Sequence, residues 1–201
     1  MKKLAVYVHG KGGSAAEAAH YESLLPDHDV IGYDYRAENP WQAKEEFPPY
    51  FHELARQYDE ILLIANSIGA YFSMSALTEE KISRALLISP VVDMESLIGG
   101  MMLGAGVDEP TLRERGEIAT DFGETLSWEY LCYVRAHPIH WSVPTDILYG
   151  EHDVLTAPDT IRAFAERTGA RLTVMPGGEH WFHTDEQMAF LDRWLKDSLD
   201  T

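Results

Sequence analysis

Ile61-Leu62-Leu63-Ile64-Ala65-Asn66-Ser67-Ile68-Gly69-Ala70 passes from a run typical of a buried strand into a helix-forming segment, with a serine at the junction. A chain that turns from strand to helix at one residue strains the backbone there and lifts that side chain clear of the turn. Residues two positions to either side must then be small. Ala65 and Gly69 meet that demand, with alanine standing where the G-x-S-x-G pattern has its first glycine. A serine in such a place can act as a nucleophile, or it can simply cap a helix. The rest of the chain decides between the two.

Outward from this junction, short apolar runs recur at Leu4 to Val8, Val30 to Tyr33, Ala85 to Ser89, Asp146 to Tyr149 and Arg171 to Met175. With 61–64 they predict six strands. Helical periodicity fills the gaps at 15–25, 41–57, 68–77, 158–168 and 185–199, the last with Met188, Leu191, Leu195 and Leu199 on one stripe. Alternation of this kind predicts an α/β fold: a mostly parallel six-stranded sheet joined by right-handed crossovers, with helices on both faces as a three-layer sandwich.

The stretch from about Val91 to Val143 breaks the alternation and predicts an insertion within one domain spanning 1–201. Its first part, Leu97 to Val107, combines glycines with apolar side chains. Its last, Trp128 to Arg135, reads as an aromatic-rich helix. A lid over a site and a pair of packed helices are both open readings.

Composition narrows the function. The 201 residues hold 16 basic and 33 acidic side chains, a formal net charge of −17, which repels phosphate backbones and makes nucleic acid an unexpected partner. A single cysteine, Cys132, excludes an internal disulfide. The apolar run at the start is interrupted by His9, too early for a secretory signal, so a cytoplasmic protein is expected. No apolar stretch approaches the roughly 20 residues of a membrane span.

Serine becomes a useful nucleophile when a histidine takes its proton and a carboxylate fixes the histidine tautomer. Candidates follow the fifth and sixth strands: Gly150-Glu151-His152-Asp153 and Gly177-Gly178-Glu179-His180. Both lie at carboxyl ends of strands, where parallel sheets gather functional groups. After the first strand comes His9-Gly10-Lys11-Gly12-Gly13, whose glycines leave backbone N–H groups accessible. The N–H groups of Lys11 and Ile68 are the expected pair of donors to an oxyanion.

Taken together, the loop at 9–13, the elbow at 65–69, the turn at 150–153 and the loop at 177–180 resemble the α/β-hydrolase superfamily, in particular its small esterases and lipases. The resemblance covers nearly the whole chain. It implies a minimal sheet of strand order 2-1-3-4-5-6, lacking the family's usual first two strands, with a small helical cap. It also implies a serine hydrolase acting on a small-molecule acyl ester or thioester without cofactor or metal. Ser67 would be the nucleophile, His180 the base and Asp153 the acid, since Asp153 follows the strand that supplies the acid in most of the family. Asp93 and His183 are the alternatives for the last two roles.

Three other readings stay open to test. Gly10-Lys11-Gly12-Gly13-Ser14-Ala15 fits a dinucleotide fingerprint, with Asp34 placed to grip a ribose, which would make the protein an oxidoreductase or nucleotide-binding module. His9 interrupts the strand that fingerprint needs, and the elbow, Asp153 and His180 would go unexplained. The pairs His137/His140 and His180/His183 have no thiolate or acidic cluster beside them, so metal is not expected. A hydrolase fold serving as a non-catalytic scaffold is the third possibility.

Overall fold

The computed structural model describes residues 1–200. In chain order it contains β1 (Lys3–Val8), a 3-10 turn (Ala15–Ala18), α1 (Ala19–Glu22), β2 (Asp29–Tyr33), α2 (Pro40–Gln57), β3 (Glu60–Asn66), α3 (Ser67–Ala76) and β4 (Arg84–Ile88). Next come α4 (Met94–Ala105), α5 (Glu109–Arg115), β5 (Glu117–Ala119), β6 (Thr125–Ser127) and α6 (Trp128–Ala136). The chain ends with β7 (Thr145–Gly150), α7 (Pro158–Thr168), β8 (Arg171–Met175) and α8 (Asp185–Leu199).

Six strands form a fully parallel sheet in the order β2-β1-β3-β4-β7-β8, the order expected from the sequence. The order reverses beside β1, so β1 and β3 are neighbours whose following loops leave the sheet in different directions. In open parallel sheets the crevice left at such a point, outside the carboxyl ends of the strands, is where ligands bind. β1, β3 and β4 are buried on both faces, hence their near-continuous apolar sequences. On one face, Ala5, Tyr7, Leu62, Ile64, Leu86 and Ile88 pack with Tyr21 of α1 and with Leu191, Trp194 and Leu195 of α8. α2 and α3 pack against each other and contribute buried Phe47, Phe51, Phe72 and Met74.

The helix expected over 15–25 is only a 3-10 turn followed by one α turn. A Cβ at Gly32 would lie 1.9 Å from the Ala15 carbonyl oxygen, so this segment is laid backbone to backbone on β2. Leu25 precedes Pro26, and the proline ring disfavours helical backbone in the residue before it.

The chain divides into two compact units, 1–92 with 140–201, and 93–139. In the smaller unit, the glycine-rich stretch Leu97 to Val107 is mostly helical rather than a loop. Asp93 caps α4 by accepting from the Ser96 N–H at 2.9 Å, and Met94, Ile98 and Met102 are buried at four-residue spacing. α6 matches its expectation. The antiparallel pair β5–β6 was not foreseen, because three residues per strand carry no readable period. Arg135 of α6 bonds Glu95 of α4 at 2.7 Å and Glu109 of α5 at 3.0 Å, tying the unit's three helices together.

Candidate active site

β3 delivers Ser67 at its carboxyl end, and the backbone there is bent as the sequence requires. Ser67 has φ +51°, a left-handed conformation that costs a non-glycine residue on the order of 1–3 kcal/mol. What over-determines it is the packing of the two neighbouring strand ends. A Cβ on Gly69 would stand 2.2 Å from the His9 carbonyl oxygen and 2.9 Å from that of Val8, so only glycine fits position 69. At Gly10 a Cβ would come within 3.2 Å of the Ser67 Cβ, which brings the 9–13 loop directly against the elbow. Ala65 is fully buried and accommodated, so its methyl group does not obstruct the turn.

The loops after β7 and β8 are sewn together by backbone. His152 N–H donates to Gly178 O at 2.7 Å, Glu151 N–H to Met175 O at 3.0 Å, and Gly177 N–H to the Glu151 carboxylate at 2.8 Å. Gly150 makes this possible, since a Cβ there would meet Glu179 O at 2.3 Å and Gly178 O at 2.6 Å. These contacts hold the loop carrying Asp153 against the loop carrying His180.

Across these loops runs a hydrogen-bonded chain of three side chains. The Ser67 Oγ lies 2.8 Å from His180 Nε2, and His180 Nδ1 lies 2.7 Å from Asp153 Oδ2. The Asp153 side chain is fully buried, and its other oxygen accepts from the N–H groups of Leu155 at 2.8 Å and Thr156 at 3.1 Å. Because one Asp153 oxygen is used by the backbone and the other by the imidazole, the carboxylate has one orientation. An acceptor at Nδ1 assigns the ring proton there and leaves Nε2 free to face a hydroxyl.

Of the alternative residues, Asp93 spends its carboxylate on Ser96, accepting from its N–H and from its Oγ at 2.7 Å. His183 stacks on Trp181 with ring centroids 4.3 Å apart, and its Nδ1 lies 2.7 Å from the Trp181 carbonyl oxygen. His137 stacks on Tyr133, with its Nδ1 2.9 Å from that residue's carbonyl oxygen. Among the described residues, no group of three or more His, Cys, Asp or Glu side chains is arranged to hold a metal ion.

Ile68 follows Ser67 as the second residue of α3, so its N–H is one of the first-turn amides that have no partner within the helix. Lys11 sits at the tip of a turn closed by Gly13 N–H donating to Gly10 O at 3.1 Å, with Gly12 at φ +76°. His9 stacks on Tyr35 at 4.4 Å and brings Nδ1 within 2.8 Å of Gly10 O. Burial pushes the Tyr35 phenol up to about 12, so it stays protonated and donates to His9 O at 2.9 Å.

Sequence reasoning passed over several supporting residues. Ser89, after β4, is the second non-glycine residue with positive φ, at +43°. The turn it makes lets Val91 N–H donate to Ser67 O at 3.2 Å and places Pro90 O to accept from Thr156 Oγ1 at 3.3 Å. The buried Ser89 hydroxyl has no hydrogen-bond partner among the described residues, and nothing in the structure accounts for it. A serine before a proline at a strand end was the available signal.

No family model and no curated protein sequence matches the chain. Solved structures do. Est1E from Butyrivibrio proteoclasticus is similar at TM-score 0.78 and 18% identity, over 98% of this chain and 87% of that one. Mouse alpha/beta hydrolase domain-containing protein 10 is similar at TM-score 0.76 and 15% identity, over 98% and 89%. A soluble variant of monoglyceride lipase from Saccharomyces cerevisiae is similar at TM-score 0.67 and 12% identity, over 100% and 87%. With its strand order, its elbow and these neighbours, the chain has the α/β-hydrolase fold.

Proposed function

We propose that this chain is a serine hydrolase of small carboxylic esters or thioesters, acting through an acyl-enzyme. The observation that carries the reading is the continuous Ser67–His180–Asp153 chain, with Oγ to Nε2 at 2.8 Å and Nδ1 to Oδ2 at 2.7 Å, ending on a serine held at positive φ. Ser67 Oγ attacks the acyl carbon while His180 Nε2 takes its proton, and Asp153 holds the resulting imidazolium. The carbonyl oxygen gains the electron pair and is met by the N–H groups of Ile68 and Lys11. Collapse expels the alkoxide or thiolate, which leaves with the proton from Nε2. A water then repeats the sequence on the acyl-enzyme and releases the acid.

The names of the neighbours favour the same class. They include a monoglyceride lipase and the thioesterase domain from the curacin biosynthetic pathway, which spans 96% of this chain at 15% identity and TM-score 0.59. The dinucleotide reading loses support at the 10–15 loop. Glu17 lies with its carboxylate 2.7 Å from where a Cβ of Gly13 would be, so a pyrophosphate there would meet a negative charge. A four-residue 3-10 turn also replaces the long helix whose N-terminus would bind it. No helix among the described residues is long and apolar enough to cross a membrane.

A fluorophosphonate probe tests the reading. The protein should be labelled at Ser67, and Ser67→Ala should lose both labelling and esterase turnover while melting within a few degrees of the parent. Undiminished labelling of Ser67→Ala, or a wild-type protein inert to the probe and to a range of acyl esters, would refute it.

A further inference from the structure

Behind the 9–14 loop lies a second hydrogen-bonded chain that the proposed chemistry does not use. Tyr7, next to last in β1 and 3% exposed, donates its hydroxyl to Glu17 Oε2 at 2.6 Å. The side-chain amide of Asn66, the residue immediately before Ser67, faces the same hydroxyl and works against the rise of its pKa. Glu17 Oε1 accepts from Ser14 N–H at 3.1 Å, and the Ser14 carbonyl oxygen accepts from Glu17 N–H at 3.2 Å, closing the first bond of the 3-10 turn. The carboxylate lies against Gly13, where a Cβ would come within 2.7 Å of Oε1.

Burial, the nearby Tyr21 phenol and the Glu17 carboxylate all hold the Tyr7 phenol far above its ordinary range. Tyr7 therefore keeps its proton at any working pH. Its single O–H proton goes to Glu17, so toward the Asn66 amide it presents a lone pair, which gives the chain one direction: Asn66 to Tyr7 to Glu17, with Ser14 N–H arriving from the other side. One end is the residue that starts the elbow. The other is the far side of the loop that carries Lys11.

Between these ends, Gly10 O is held by Gly13 N–H and lies 2.8 Å from His9 Nδ1. In a trans peptide the C=O and N–H point opposite ways, so fixing Gly10 O to the loop side aims Lys11 N–H away from it. The loop then needs an anchor at 13–14 to keep that peptide plane against the elbow, and Glu17 supplies it.

Resting on the proposed function, we infer that Glu17 and Tyr7 are positioning residues that fix the Lys11 N–H relative to Ser67 and thereby tune oxyanion stabilisation. Neither touches substrate. Loosening the anchor should cost transition-state binding and spare the ground state.

The test uses the full chain and compares wild type with Tyr7→Phe, Glu17→Gln and Glu17→Ala. kcat and KM are measured on p-nitrophenyl acetate, together with inhibition by a trifluoromethyl ketone, which forms an oxyanion on Ser67. Tyr7→Phe and Glu17→Ala should lower kcat by about ten- to a hundredfold with KM within twofold, a smaller loss than deleting an oxyanion donor outright. The ketone should weaken by the same factor. Glu17→Gln retains one acceptor oxygen and should fall between. kcat and ketone affinity within twofold of wild type in folded variants would overturn the inference, as would a loss of kcat with unchanged ketone affinity. Should Glu17→Ala not fold, Tyr7→Phe and Glu17→Gln decide alone. Labelling of the wild type by fluorophosphonate separates the two ideas: an inert wild type defeats the hydrolase reading, whereas equal labelling rates in wild type and variants defeat only the role of Glu17 and Tyr7.

Discussion

β7 has a buried aspartate near each end, and the two differ in their company. Asp146, the second residue of the strand and 2% exposed, accepts from Arg84 Nε at 2.9 Å, from another Arg84 nitrogen at 2.7 Å, and from Arg171 of β8. Asp153, three residues beyond the strand and 8% exposed, accepts from two backbone amides and from one imidazole. Guanidinium keeps its charge over the whole range in which proteins fold, so the Asp146 cluster has a single state. Imidazole can gain and lose a proton, and its far nitrogen reaches a hydroxyl, so the Asp153 cluster has two states and an outlet. Burial of a carboxylate therefore says little about function; the titratability and reach of its partner say more.

The largest separation between the two should come from Asp153→Asn. An asparagine amide at Oδ2's place would donate toward His180 Nδ1, move the ring proton to Nε2 and abolish its capacity to accept from Ser67. Steady-state kinetics should register a loss on the order of 10⁴ in kcat. The melting temperature should hardly move, because the Asn oxygen can still accept from Leu155 and Thr156. A fall of less than tenfold would reopen the acid role.

Asp146→Asn should do the reverse. Removing one partner of a fully buried ion pair costs about 3–5 kcal/mol, but here the arginine side chains are 27% and 45% exposed and water can reach them. A loss of about 2 kcal/mol is expected, or roughly 4–8 °C in Tm for a chain of this size, with kcat unchanged. Equal damage to kcat would mean that the two ends of β7 are coupled.

Alkali should also discriminate between regions. The Tyr21 phenol is raised above its ordinary range by burial, then by Glu17 and Asp192. A folded-state value above the unfolded one means that the native protein holds the proton longer. Its contribution is complete below about pH 10 and is lost as pH climbs toward the folded value, by about 1.4 kcal/mol per unit for a single such tyrosine. Chemical denaturation between pH 9 and 11 should show this decline, to which the raised phenols of Tyr7, Tyr33 and Tyr35 add their own shares, and Tyr21→Phe should make it shallower by one tyrosine's share without abolishing it.

Much of this was legible in the sequence because it follows from local rules. All six sheet strands, and the elbow at Ser67, come from apolar runs and small residues at fixed offsets. The Asp153 and His180 loops are recognisable because each follows a strand. What could not be read depends on partners far apart in sequence. Asp146 looks like one polar residue in a strand until β4 and β8 bring Arg84 and Arg171 to it. Tyr7 looks like ordinary core until Glu17 and Asn66 close on its hydroxyl. In the smaller unit, the glycines of α4 left a lid and packed helices both open, although Asp93 followed by Met94, Ile98 and Met102 was already the pattern of a capped helix.

The smallest effect should fall on that capping residue, the third carboxylate in the comparison. Asp93 was the other candidate for the acid, and its two bonds to Ser96 give it a purely local task. Asparagine caps helices about as well as aspartate, so Asp93→Asn should leave stability and kcat within experimental spread. Asp93→Ala deletes the cap and should cost about 1 kcal/mol of helix stability, still without a change in kcat above twofold. The asparagine variant is the sharper probe, because it preserves the cap while removing the negative charge that an acid of the triad would need. A thousandfold loss of turnover in Asp93→Asn, with Asp153→Asn active, would transfer the role from the end of β7 to the start of α4 and overturn the contrast drawn between the two ends of the strand.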